Sequence, residues 1–457
     1  MRAQRKPKTE RRSDPRPYIG DVTRRPEGVV DAATVTISFV LLALVSGFII
    51  GFAVFCLMNL SIWLTALVWN GATGALLAPW YPLVICGIGG AIIGVWTWWS
   101  HDVVKPLEEV MAEFKATGSY QTNGVWKPVV TFLLPLVFGG SVGFEAGLTG
   151  LITAGCCWIR DRLKAAGLRM GAVADVTIAA SIAAIFGTPL AGIVAGAESA
   201  PDDGEDVLEE PDVNSYNMRR GAKIVLYTAA AFGAFGGIAL FSSLFGVSGG
   251  LPRFGAITAA PAELLWAIPC LVVAYVMTLL FHGSAFLFRG VTQRLGDGPV
   301  GIIGRPVVAG LVMGAVACVF PLVLFPGETQ SEYLMDAWTT MTALVLLGTG
   351  LLKAVVTPMC LNMGWVGGNF FPSIFAGVAA GYGLASLTGA DPMVMVTVTA
   401  TAFLAGVIRK PLLVLAVLFL CFPVGSMFWM GLAALIGAAL PIPRILLGEE
   451  NGFGHDR

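Results

Sequence analysis

The amino-acid sequence predicts an all-α polytopic membrane protein, and three observations carry that prediction. Charged residues make up only 12% of the 457, about half the ~25% of soluble domains. Hydrophobic residues reach 56% and glycine stands at 57 residues. So apolar a chain cannot keep its surface in water, which excludes a cytosolic enzyme, a nucleic-acid binder and a disordered scaffold. The second observation is the length of the uncharged runs. Ala32 to Ser100 is free of Asp, Glu, Lys and Arg over 69 residues, and further runs span Ile224–Pro252, Leu264–Phe288, Ala354–Ala390 and Pro411–Pro443. Each exceeds the ~20 residues that cross a hydrocarbon core as a helix. The third is the lack of ~10-residue segments of alternating polarity, the signature of a membrane β-barrel.

The elements follow in order. Residues 1–30 hold nine Lys or Arg against four Asp or Glu. This basic tail precedes the first apolar stretch, so the positive-inside rule puts the N-terminus in the cytoplasm. The apolar stretch is too long, and its leader too extended, for a cleaved signal peptide. Residues 31–199 form a first membrane block. Residues 200–223 form an acidic linker with seven carboxylates between Asp202 and Asp212. Residues 224–445 form a second membrane block of similar length, and 446–457 a short tail. Two comparable blocks point to inverted repeats, an architecture that puts a substrate site near the midplane, where broken helices aim their ends at it.

Glycine clusters mark the breaks: Gly87, Gly89 and Gly90; Gly139, Gly140 and Gly143; and Gly364, Gly367 and Gly368. In lipid, such breaks stand only where protein or a water-filled cavity satisfies the freed backbone groups, although glycine also serves close helix packing. Eight scattered cysteines and three histidines argue for small buried hydrophobes rather than a disulfide framework, a metal cluster or a haem.

Glu145 is the first functional candidate, the only Asp, Glu, Lys, Arg or His between Pro128 and Ile159. An intramembrane carboxylate is costly and is by default functional; a simple helix cap is the alternative. The second is Gly367-Gly368-Asn369-Phe370-Phe371-Pro372, where bare amides and a proline suited to a first helical turn make an anion site without a cationic side chain. The third is Phe186-Gly187-Thr188-Pro189-Leu190-Ala191-Gly192, which by itself reads as a kinked helix.

Together these segments resemble the CLC family of chloride channels and chloride/proton antiporters, over roughly residues 35–440. Gly368 to Pro372 matches the G-x-F-x-P motif and Phe186 to Gly192 matches F-x-x-P-L-A-G, with an echo at Ile408 to Leu412. Gly143 to Gly147 matches the glutamate segment in part. The resemblance implies a CLC-like fold of two inverted repeats with about 16–18 helices of uneven length. It further implies a homodimer with one chloride pathway per subunit. Glu145 would be the gating glutamate, and backbone amides near Phe144, Glu145, Asn369 and Phe370 would hold the anion.

The departures bear on mechanism. Where the family carries G-S-G-x-P, this chain has Asp102 to Pro106, without the serine; Lys105 there could add positive potential to an inner vestibule or simply sit at the cytoplasmic rim. The last tyrosine is Tyr382, so a C-terminal inner-gate hydroxyl is missing. The inner proton-relay acid of antiporters falls on Ser199, with Glu198 just before it. A channel-like mechanism is therefore expected, with a chloride/proton antiporter or a fluoride exporter as alternatives. Glu328 is expected in an external loop, Lys353 snorkelling to the interface, and Arg409 with Lys410 at a helix end. No enzyme activity, cofactor or metal is expected. The partners are chloride or other small anions, protons and lipid, with no nucleic acid. Fourteen residues after Pro443 are too few for nucleotide-sensing domains, and the compact core fits a bacterial plasma membrane.

Overall fold

The computed structural model describes residues 37–69, 79–100, 126–153, 176–199, 220–246, 251–255, 257 and 265–447. Sixteen α-helices lie among them. The first block holds α1 (Ile37–Trp69), α2 (Tyr81–Ser100), α3 (Trp126–Val137), α4 (145–153), α5 (Thr177–Phe186) and α6 (Pro189–Ser199). The second holds α7 (Arg220–Phe245), α8 (Ala267–Leu295), α9 (Pro299–Ala317), α10 (Glu328–Ala337), α11 (Ala343–Asn362) and α12 (Phe370–Thr388). It continues with α13 (Pro392–Ile408), α14 (Pro411–Leu418), α15 (Met427–Ala439) and α16 (Arg444–Leu447). Residues 220–223, expected in the linker, already belong to α7, which begins at Arg220. Most of that linker, the basic tail and residues 448–457 of the C-terminal tail lie outside the described residues.

Two classes of helix result from the sequence. Seven are long and apolar enough to cross a membrane: α1, α2, α7, α8, α9, α11 and α12. Several of these turn large apolar side chains outward, among them Leu41, Val45 and Ile49 on α1 and Ile268 and Val272 on α8, as a lipid-facing surface requires. The short helices α4 and α5 are buried along their described length, and so is α12 from Phe370 to Ala385. The long helices thus wrap a core of short or buried ones.

Small residues set the closest helix pairs. A Cβ on Gly47 or Gly51 would overlap the carbonyls of Ala230 and Ala234, and one on Gly233 would overlap that of Leu44. The pairing advances in the same direction along both chains, so α1 and α7 run parallel. Between α2 and α9 the order is opposite: Gly94 faces Ile303, Gly90 faces Pro306 and Gly314 faces Leu83. In lipid no hydrophobic drive joins helices, so such backbone-to-backbone packing must supply the adhesion.

The two blocks also end their helices alike. α5 stops at Gly187 with φ 64°, and α6 starts at Pro189; α13 stops at Arg409 with φ 60°, and α14 starts at Pro411. A left-handed residue closes the first helix of each pair, and a proline, needing no donor at the first turn, opens the next.

Candidate functional site

The two glycine-rich breaks meet. Gly143 donates to the Gly368 carbonyl at 2.8 Å, and Gly368 donates to the Gly143 carbonyl at 2.9 Å, an isolated antiparallel bridge. Each strand of the bridge leads into a helix: α4 begins at residue 145 and α12 at Phe370. Gly139 and Gly364 make the turns upstream, with φ 84° and 93°, a conformation that favours glycine. The breaks are satisfied locally. Gly140 donates to the Pro135 carbonyl at 2.7 Å, and the buried Trp365 indole donates to the Pro306 carbonyl at 2.9 Å.

The bridge brings Glu145 to the start of α12. Its Oε1 accepts hydrogen bonds from the backbone amides of Phe370, at 2.5 Å, and Phe371, at 3.2 Å. These are first-turn amides without intrahelical partners, at the positive end of the helix dipole. Gly143 and Gly368 are needed here for space rather than for backbone freedom. Neither has a positive φ, and a Cβ on either would overlap the Glu145 carboxylate. Glu145 itself is fully buried.

Aromatic rings enclose the position. Phe186 stacks on Phe371 with centroids 5.4 Å apart and an interplanar angle of 11°, and it lies 5.2 Å from the Phe370 ring. Phe144 meets Phe371 edge-on at 5.2 Å. The Phe186–Gly192 segment therefore joins the site through its phenylalanine. Its Thr188 hydroxyl donates to the Ala416 carbonyl of α14 at 3.0 Å, tying the two helix breaks together.

Other candidates fall elsewhere. Phe144, Glu145 and Phe370 are gathered at the bridge. Asn369 directly precedes α12, and its side chain makes no capping bond; Phe371, absent from the sequence-based set, supplies the second amide. Glu198 lies near the C-terminal end of α6 and pairs with Lys410 at 2.8 Å. Arg409 and Lys410 do mark a helix boundary. Lys105, and the stretch Asp102 to Pro106 around it, lie outside the described residues, as does the side chain of Ser199. Among the described residues, no group of three His, Cys, Asp or Glu could hold a metal ion.

Two charged residues differ from expectation. Lys353 does not snorkel. It is completely buried, and its Nζ donates to the carbonyls of Val323, Leu324 and Phe325 at 2.9, 3.3 and 2.7 Å. Snorkelling needs a reachable water interface, whereas here a turn of the same chain offers three acceptors. Glu328 is no loop residue: it opens α10, and its Oε2 is buried without a hydrogen-bond partner. Both departures arise from the packing of the turn 321–327 into the protein, which the sequence of that turn does not reveal.

Comparison with known proteins identifies the fold and the family. The family model described as voltage gated chloride channel matches residues 105–441. Chloride channel protein CLC-e of Arabidopsis thaliana is 32% identical over 133 residues, covering 25% of this chain and 19% of the plant protein. The match thus spans less than a fifth of that relative's length. Among solved structures, a CLC-type fluoride/proton antiporter is similar with a TM-score of 0.65 and 16% identity, over 88% of this chain and 94% of the other. A slow cyanobacterial Cl-/H+ antiporter gives 0.63 and 16%, over 91% and 95%. At such identity these structures define the fold alone. The family match covers most of the chain and contains both sides of the bridge, so this integral membrane protein belongs to the voltage gated chloride channel family.

Proposed function

We propose that the protein transports small anions, chloride foremost, across a membrane through a pathway in each subunit of a homodimer, with Glu145 as the gate. One observation carries the reading: the Glu145 carboxylate sits on the free amides of Phe370 and Phe371. A carboxylate there is a tethered anion. A permeant anion at the same place would use the same amides and the same dipole, so it must wait until Glu145 leaves or takes up a proton. Backbone dipoles hold an anion without a full opposite charge, which keeps its release fast. The amides near Phe144, Glu145 and Asn369 complete the proposed set, Lys105 would add positive potential on the inner side, and the basic tail puts the N-terminus in the cytoplasm. No catalytic step on the anion is part of the proposal.

A channel-like mechanism is the preferred form, because Ser199 stands where an inner relay acid is expected and a hydroxyl cannot cycle a charge-carrying proton. An antiporter is the second reading. The Glu198 carboxylate, held by Lys410 at 2.8 Å and partly exposed, favours it, since it stands one residue from the position where the relay acid is expected. Chloride efflux from proteoliposomes, with proton movement recorded at the same time, separates the two. Efflux that needs a voltage shunt and moves no protons is the expected result. Uphill proton movement driven by a chloride gradient, lost in Glu198→Gln, would establish the antiporter instead. Absence of any anion flux would sink both.

A further inference from the structure

The turn that leads into Glu328 packs against both segments that form the anion position. Phe325 adopts φ 64° and donates its amide to the Gly139 carbonyl at 3.1 Å, which ties the turn to the segment leading to Glu145. Two residues on, Gly327 has φ 114°, and a Cβ on it would overlap Phe375 of α12. Ser331 returns to the Gly327 carbonyl through both its amide and its hydroxyl, at 2.8 and 2.7 Å. From the far side α11 braces the whole arrangement. Lys353 holds the three carbonyls of residues 323–325 and lies 5.0 Å from the Phe375 ring. One turn along, the Thr357 hydroxyl meets that of Ser141 at 3.1 Å. Glu328 therefore directly follows a turn anchored on one side to the segment that leads to Glu145 and on the other to α12.

Its chemistry is distinctive. Oε2 is buried with no hydrogen-bond partner, and the charges acting on it are those of Glu332 on its own helix and Glu145 across the site. Lys353, the cation on α11, is spent on the carbonyls of residues 323–325, and Phe375 on α12 is apolar. Burial, then Glu332, then Glu145 push the Glu328 carboxyl up to about 8. A group so placed keeps its proton above the ordinary carboxylate range.

We propose that Glu328 is a second, affinity-determining carboxylate of the anion site, whose ionisation repels the anion held on the Phe370 and Phe371 amides. The inference rests on the anion-site reading above and adds a residue to it. Neutral Glu328 admits a negative charge next door, whether it belongs to Glu145 or to a permeant ion. Ionised Glu328 opposes both. By linkage, a bound anion must in turn hold the Glu328 proton more tightly.

The test is chloride affinity as a function of pH in Glu145→Gln protein, where the gate can neither titrate nor compete. Titration calorimetry on the purified full chain should show affinity falling about tenfold between pH 6 and pH 9, equivalent to one unit of differential proton affinity. Glu145→Gln/Glu328→Gln should bind chloride with a flat pH profile, while Glu145→Gln/Glu328→Asp should keep the fall. If the double Gln variant keeps the same fall, the inference is overturned and Glu332 becomes the group to examine. A flat profile in Glu145→Gln alone overturns it as well, with the anion-site reading intact. No chloride binding at any pH removes both.

Discussion

Glu145, the glycines that make room for it and the buried Lys353 are the residues on which the account turns. Gly143 and Gly368 border the carboxylate so closely that a methyl group on either would overlap it. Gly368→Ala should expel the side chain from the amides. Chloride flux should then persist at high pH, and its pH dependence should weaken toward that of Glu145→Gln. An unchanged flux profile would show that the carboxylate is not held where the bridge holds it. Lys353→Met keeps length and removes the ammonium, leaving three carbonyls without their donor. Each buried group left unsatisfied costs about 1–3 kcal/mol, so a loss of at least ~3 kcal/mol is expected, read as a lowered midpoint in thermal unfolding in detergent. Glu328 gives a pH signature of its own. Its carboxyl is raised to about 8 in the folded protein, so between the ordinary carboxylate range and about 8 the folded state retains a proton that the unfolded chain has lost. Stability must fall as pH rises through that window. Glu328→Gln should remove that slope, and its advantage over wild type in thermal unfolding should grow from pH 5 to pH 9.

At the level of elements, glycine spacing makes the long helices adhere. α1 and α7 touch backbone to backbone at Gly47, Gly51 and Gly233. Gly51→Leu should force them apart, lowering thermal stability by at least the ~1–3 kcal/mol typical of overpacking; thermal unfolding monitored in detergent checks this. The elements were unevenly legible in the sequence. Glycine and proline announced the break at Gly187 and Pro189, because a left-handed helix end favours glycine. Its counterpart uses Arg409 at φ 60°, where only the following proline gave a signal. The arginine is held there by a bond from its guanidinium to the Leu440 carbonyl at 2.7 Å, a partner 31 residues away that no local pattern specifies. Likewise the Glu145 and Gly368 segments could each be recognised as a helix start, but their bridge joins residues 225 positions apart. Phe371 was missed for a simpler reason: an amide donor carries no mark in its side chain. Lys353 and Glu328 were misjudged because burial of the turn 321–327 depends on α11 and α12, not on the turn itself.

Over the whole molecule, two blocks of similar length place one broken helix each against a common centre, and the long helices insulate that centre from lipid. The division of labour explains why the chain can afford an intramembrane carboxylate. Glu145 meets the positive ends of backbone dipoles instead of hydrocarbon, inside a box of Phe144, Phe186, Phe370 and Phe371. The central claim is that this carboxylate occupies the place of the transported anion. Anomalous diffraction from crystals of Glu145→Gln grown in bromide tests it most directly. A bromide peak within hydrogen-bonding distance of the Phe370 and Phe371 amides, at the position that Glu145 Oε1 holds in the wild type, is the predicted result. Ordered amides with no bromide there would contradict the account.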